Sequence, residues 1–168
     1  MFKKKKIAVV IPCFKVSNFI NKVISTLPNF IDNIYVVDDA CPENSVQKIK
    51  LKSKKIKKIF RSKNGGVGAA VKDGYRNSLK DQNDITVRID GDGQMDPKLI
   101  TDFIKPIINE KADFTKGNRF QNFTFLKEMP ISRIIGNIFF STLGMILTSN
   151  YRIFDFQNGF TSIENKVL

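Results

Sequence analysis

Short apolar runs alternate with amphipathic stretches along most of the chain. Ile7-Ala8-Val9-Val10-Ile11 is apolar without a break, the pattern of a strand buried on both faces. Phe19, Ile20, Val23, Ile24 and Leu27 then recur at helical spacing, with Ser17 or Asn18 placed as a cap. Ile34-Tyr35-Val36-Val37 predicts a second buried strand, and Glu43 to about Lys52 a weaker helix with Val46 and Ile49 inward. Ile56 to Phe60 is a third strand, lysine-rich and therefore expected near a sheet edge. Asn64-Gly65-Gly66-Val67-Gly68 opens a helix expected to carry Val67, Val71, Gly74, Tyr75 and Leu79 inward. Ile85 to Ile89 is the fourth strand, and Asp96-Pro97 caps a helix carrying Leu99, Ile100, Phe103 and Ile104. Ala112 to Thr115 is a fifth.

This alternation predicts an α/β fold, a mostly parallel sheet with helices on both faces. Ligands in such sheets bind outside the carboxyl ends of the strands. The polar clusters Pro12 to Lys15, Asp38-Asp39, Lys63 to Gly66, Asp90 to Gln94 and Gly117 to Arg119 all follow strands, so one crevice is expected to gather them. Ile131 to Thr148 breaks the pattern. It is apolar nearly all round, yet Arg133, Asn137, Ser141 and Thr142 interrupt it. A central arginine costs roughly 2.5–3.5 kcal/mol in a spanning helix, so two readings stay open. One is a helix lying on a membrane surface or docked on another apolar element; the other is a buried core helix.

Composition narrows the classes. The 168 residues suit a single domain, and the formal charge is +12. Lys3 to Lys6 and the acid-free run from Lys48 to Lys63 hold much of that charge, which favours an anionic partner. No aromatic-interleaved basic strand is present, so a nucleic-acid partner is not expected. Two cysteines and no histidine argue against a zinc site and fit a reducing cytoplasm. The first apolar run is too short for a signal peptide and ends at Pro12.

Asp90-Gly91-Asp92 carries the sharpest chemistry. The glycines at 91 and 93 let the chain turn so that both carboxylates converge, giving hard oxygen ligands for Mg²⁺ or Mn²⁺ with room left for phosphate. Asp92 is expected to reach the ion directly, Asp90 through water or by holding a ribose hydroxyl, and Gln94 to orient an acceptor or a metal-bound water. Asp39 is placed to accept from a base N–H, with a helix cap as its competing role. Asn64 to Gly68 lacks the spacings of a dinucleotide fingerprint and is expected to pack beside a nucleotide at Gly66, with Lys63 supplying charge. Arg119 and Arg133 are candidates for neutralising a diphosphate leaving group.

Together Val9-Val10-Ile11-Pro12-Cys13-Phe14, Val36-Val37-Asp38-Asp39-Ala40, Asn64-Gly65-Gly66-Val67-Gly68-Ala69-Ala70, Asp90-Gly91-Asp92-Gly93-Gln94-Met95-Asp96-Pro97 and Gly117-Asn118-Arg119-Phe120 resemble, in order and spacing, the family-2 glycosyltransferases. Arg133 with Asn137, and Asp155-Phe156-Gln157-Asn158-Gly159-Phe160, are similar to further motifs of the dolichol-phosphate mannosyltransferase and polyprenyl-phosphate glycosyltransferase branch. The resemblance implies a GT-A nucleotide-sugar fold, a divalent metal on the DxD motif, and inverting transfer from a GDP- or UDP-linked sugar. It implies nucleotide contacts from Pro12, Phe14, Asp39, Asp90 and Asp92, metal ligation by Asp92 with Asp90 and Gln94, and phosphate contacts from Arg119 and Arg133. Asp155 is the candidate base for a hydroxyl acceptor; for a lipid-phosphate acceptor it would orient Arg133 or the acceptor instead. On that resemblance residues 1–120 form the nucleotide-sugar part and 121–168 an acceptor and membrane-interface part. The enzyme is expected to sit peripherally on the inner face of a membrane.

Three departures qualify this. No acid follows Phe14 by two residues, Gly159-Phe160 is followed by Thr161 instead of arginine, and the chain stops where relatives continue. A truncated chain is therefore expected, and a donor-binding fragment without turnover, or a saccharide hydroxyl acceptor, is the alternative. A sugar-nucleotide-forming nucleotidyltransferase would be expected to show a longer glycine-rich loop near the N-terminus.

Overall fold

The computed structural model describes residues 2–121, 130–149, 151 and 154–168, apart from the side chains of Gln121 and Arg133. Two compact units emerge: Met1–Thr115 with Phe160–Leu168, and Lys116–Gly159.

The first unit holds the sheet. Strands β1 (Ile7–Cys13), β2 (Asn33–Asp38), β3 (Ile56–Phe60), β4 (Ile85–Arg88), β5 (Phe114–Lys116) and β6 (Thr161–Glu164) lie in the order β3-β2-β1-β4-β6-β5. β1 pairs parallel with β2 and β4, and β2 with β3, while β6 runs antiparallel to β4. The unbroken apolar run of β1 is buried along its whole length, as a central strand covered on both faces must be. Lysine-rich β3 stands at the edge its composition predicts.

Helices α1 (Ile20–Ser25) and α3 (Ile100–Ile108) cover one face, where Ile20, Val23, Ile24, Ile100, Ile104 and Ile107 join Val9, Ile11 and Val36 in the larger core cluster. α2 (Gly66–Lys80) covers the other, with Ala70 in a second cluster with Ala8, Val10, Tyr35 and Val37. Burying each such Val or Ile side chain contributes about 1.5–3 kcal/mol, so these two layers carry the fold.

Local departures have local causes. The stretch expected to be a helix from Glu43 forms turns, although Val46 and Ile49 are buried as expected. Asn44 has positive φ, and Asn21 takes the groups a helix would use, donating to the Lys48 C=O and accepting from the Lys50 N–H. Ser17 donates to Glu43 and does not cap α1, which starts behind Phe19 with no side-chain cap. Val67, Leu79 and Leu99 face solvent, contrary to their spacing. On α2 the buried stripe turns toward Ser78, whose hydroxyl meets Thr86 Oγ1 at 2.6 Å.

The second unit contains α4 (Ile131–Thr148), with the bounds its sequence predicts. Its polar positions Asn137 and Ser141 are buried, at 4% and 0% exposure. Ile131, Ile135, Phe139, Phe140, Ile146 and Leu147 are exposed. Many of its apolar side chains are thus turned out, while two polar ones are turned in. Among the described residues no helix is long and apolar enough to cross a membrane.

Candidate functional site

Strands β1 to β4 deliver four of the five predicted polar clusters to the carboxyl end of the parallel sheet; the fifth, Gly117 to Arg119, lies in the other unit. After β1, Pro12 stays in the strand opposite Val37, and Phe14 is exposed with Lys15 Nζ 5.6 Å from its ring centroid. This loop is stitched to the one after β2. The Lys15 N–H donates to Cys41 Sγ at 3.1 Å, the Val16 N–H to Ser45 Oγ at 3.1 Å, and the Asp39 N–H to the Cys13 C=O at 3.1 Å. Asp38 Oδ1 accepts from the Cys41 N–H at 2.7 Å, so Asp38 serves the turn, while its Oδ2 is buried with no partner among the described residues. Burial and the neighbouring Asp38 charge push the Cys13 thiol up from its ordinary value, which makes it a poor nucleophile.

Asp39 is almost fully buried and accepts at Oδ1 from Arg61 Nη1 and from the Gly65 N–H, each at 3.0 Å. The glycine loop therefore turns an N–H onto this carboxylate. Gly66 takes φ +80°, a conformation open to glycine, and stands exposed with Lys63.

After β4, Asp90 Oδ1 accepts from Arg88 Nη2 at 3.0 Å, and the Asp90 N–H reaches Met95 Sδ at 3.4 Å. Asp92 Oδ1 accepts from the Gln94 N–H at 3.0 Å across Gly93, whose φ is +79°. Gly91 packs tightly: a Cβ would stand 3.1 Å from Val16 Cγ2 and 3.4 Å from both Cys13 Sγ and Ile11 Cγ2. Gln94 is exposed.

Among the described residues no three His, Cys, Asp or Glu side chains gather into a metal cluster. Asp90 and Asp92 each have one oxygen engaged and one without a hydrogen bond from a described residue. Two hard oxygens fit a Mg²⁺ or Mn²⁺ ion that a substrate's phosphates complete, and do not fit a cation caged by protein alone.

In the second unit Arg119 and Asp155 form a forked pair. Nε lies 2.8 Å from Oδ2, Nη2 lies 2.8 Å from Oδ1, and the Arg119 N–H adds a bond to Oδ2 at 3.1 Å. The Asp155 side chain is fully buried. Burial alone would raise its carboxyl, but the Arg119 hydrogen bonds outweigh it and hold the group below its usual range. Phe120 meets Phe154 edge-on at 5.2 Å, and Lys116 Nζ bonds the Asn158 C=O. The Arg133 side chain, a sequence candidate, lies outside the described residues.

The sequence reading missed the partners. Arg61 and Arg88 each serve a predicted acid, and both stand at strand ends. Arg88 precedes Asp90 by two residues, the spacing that shares one face of an extended chain, and was legible on that ground.

Against known proteins, the family model described as Glycosyl transferase family 2 matches residues 8–168. A UDP-N-acetylglucosamine–dolichyl-phosphate N-acetylglucosaminyltransferase of Methanococcus voltae is 30% identical over 180 residues, covering 98% of this chain and 71% of the relative. An uncharacterized protein of Methanocaldococcus jannaschii is 29% identical over 157 residues, covering 93% of this chain and 63% of the relative. Among solved structures, glucosyl-3-phosphoglycerate synthase from Mycobacterium tuberculosis, in complex with Mn²⁺, UDP and phosphoglyceric acid, superposes with TM-score 0.71 at 16% identity. That match covers 98% of this chain and 57% of the synthase, and identifies the fold as GT-A.

Proposed function

Because the chain belongs to glycosyl transferase family 2, we propose that it transfers a sugar from a UDP-linked donor to a polyprenyl or dolichyl phosphate, with inversion. The strand-end carboxylates carry this reading. Among the described residues Asp39 keeps one oxygen for a base N–H, while Asp90 and Asp92 each keep one for a divalent ion that would meet the donor's diphosphate, or in Asp90 for a ribose hydroxyl. The UDP donor and the lipid-phosphate acceptor are supported by the Methanococcus voltae relative's name, and UDP also by the complexed synthase.

In the proposed reaction an acceptor phosphate oxygen attacks the anomeric carbon, and the carbon–oxygen bond to UDP breaks with its electron pair leaving on the diphosphate. A lipid phosphate has a second pKa near ~6 and is mostly dianionic at neutral pH, so it needs positioning and no general base. The state of Asp155 agrees with this, since both its oxygens are given to Arg119. We assign Asp155 the task of orienting Arg119, and Arg119 and Arg133 the task of meeting phosphates. Phe14, Pro12, Lys63 and Gly66 are assigned to the nucleotide. Asp90 and Asp92, with Gln94 nearby in sequence, would hold Mg²⁺ or Mn²⁺, which when bound neutralises charge on the leaving diphosphate. The many exposed apolar side chains of α4 support a lipid-side acceptor, because they suit an interface with acyl chains.

Isothermal titration with UDP, GDP and their sugars, with and without Mn²⁺, tests the donor site. Metal-dependent UDP binding is expected, weakened about tenfold or more by Asp92→Asn, the scale of one charge-assisted contact. Binding indifferent to both the metal and Asp92→Asn would sink the assignment. Incubation with UDP-N-acetylglucosamine and dolichyl phosphate then tests transfer.

A further inference from the structure

Asp39 is oriented by a chain of charges that reaches it from α2. Its Oδ1 is filled by two donors, Arg61 Nη1 and the Gly65 N–H, each at 3.0 Å, while Oδ2 accepts from none of the described residues and is its open acceptor. Arg61 is gripped again on its other edge, where Nε stands 3.0 Å from Asp73 Oδ2 on α2. Gly65 closes over the guanidinium: a Cβ there would stand 2.8 Å from both Nη1 and Nη2. Asp73 Oδ1 in turn meets Arg76 Nη1 at 3.4 Å, so the charges alternate Arg76, Asp73, Arg61, Asp39. Exposure falls along that line, from 65% at Arg76 through 29% and 18% to 4% at Asp39.

The geometry has a mechanical meaning. An arginine held by one carboxylate can pivot about that contact and carry the acceptor with it. A planar guanidinium held at Nη1 by one acid and at Nε by another cannot. The outer carboxylate therefore fixes the inner one without touching anything that binds there. An ionised carboxylate only accepts, so a fixed Oδ2 favours a base presenting a ring N–H, as uracil does, over cytosine, whose ring nitrogen at that position is bare.

We propose that Asp73 is a positioning residue for donor recognition, acting through Arg61 to hold the Asp39 carboxylate in its base-accepting orientation. This rests on the nucleotide-sugar reading above. Asp73 lies on a helix, is partly exposed, and can be changed without opening the core.

Titration of the full chain with UDP and with CDP, in Mn²⁺, tests the proposal. Asp73→Ala is expected to weaken UDP about tenfold, the loss of one charge-assisted hydrogen bond, while CDP affinity holds. Asp73→Glu, which keeps a carboxylate to pair with Arg61 Nε, is expected to recover most of that loss. Arg61→Lys combined with Asp73→Ala should bind UDP within about twofold of Arg61→Lys alone, since a broken relay is not broken again. A purely structural role would instead lower the thermal midpoint and weaken both nucleotides together. Wild-type UDP affinity in Asp73→Ala, equal losses for UDP and CDP, or additive losses in the double variant would each overturn the relay and leave the donor reading standing. A wild-type chain that does not bind UDP would overturn the donor reading and the relay with it.

Discussion

Gly74 measures how closely α2 rides on the sheet. A Cβ at that position would stand 2.3 Å from Val10 Cγ1 and 2.9 Å from Cγ2, deep inside contact distance and against a buried strand. Gly74→Ala is therefore expected to destabilise the fold by about 1–3 kcal/mol, the usual cost of overpacking, read as a lower denaturant midpoint with an unchanged slope. Adding Val10→Ala should return part of the loss. Helical spacing was enough to point Gly74 and Val71 inward, because burial follows periodicity where apolar neighbours supply the surface. It failed at Val67, in the first turn of α2, and at Leu79, beside which Ser78 takes the inward position through its hydrogen bond to Thr86. The acids of the site were legible because they end strands. The arginines that hold them were less so, because a lone arginine carries no pattern until its partner's place in space is known.

Strand β6 lay outside the reach of periodicity. Thr161-Ser162-Ile163-Glu164 has no apolar run, and its membership of the sheet is decided from elsewhere. Asn165, one residue on, is the anchor. Thr86 Oγ1 donates to its Oδ1 at 2.6 Å, its Nδ2 donates to the Asn83 C=O at 2.7 Å and to Ser78 Oγ at 3.2 Å, and its N–H donates to the Asp84 C=O at 2.8 Å. One buried amide thus ties the strand to β4 and to the end of α2. Asn165→Leu strands these partners and is expected to cost about 2 kcal/mol or more, seen in chemical denaturation, with hydrogen exchange accelerating first in β6. The opposite case is α4, whose bounds followed directly from an apolar stretch and whose orientation did not. Hydropathy gives a helix its length; only contacts say that Asn137 and Ser141 are the side turned in.

The molecule as a whole carries a strong positive charge and few acids, so the acids it keeps in ion pairs weigh heavily on its pH response. Asp81 in the sheet unit is held below its usual range by hydrogen bonds from Lys57 and then Tyr35. Asp155 in the second unit is held low by Arg119 against the upward push of burial. A carboxyl depressed on folding contributes stability above its unfolded value, near 3.8, and loses it as the pH falls through the lower folded value. Thermal midpoints are expected to be flat in Asp155-dependent stability above about pH 5 and to fall steeply below 4. Asp155→Asn should lower the neutral-pH midpoint and flatten that acid limb; a limb of unchanged steepness would show that other groups set it.

The position of β6 also orders events in time. It lies between β4 and β5, yet β4 ends at Arg88 and β6 begins at Thr161. While the chain leaves the ribosome, β1 to β4 can pair as they emerge, but β5 has no neighbour to join until the strand between them arrives. One edge of the nascent sheet must wait, unpaired, through the synthesis of the entire second unit. Closure is thus a late, non-local step, the kind that slows folding and invites chaperones to hold an open strand in the interval.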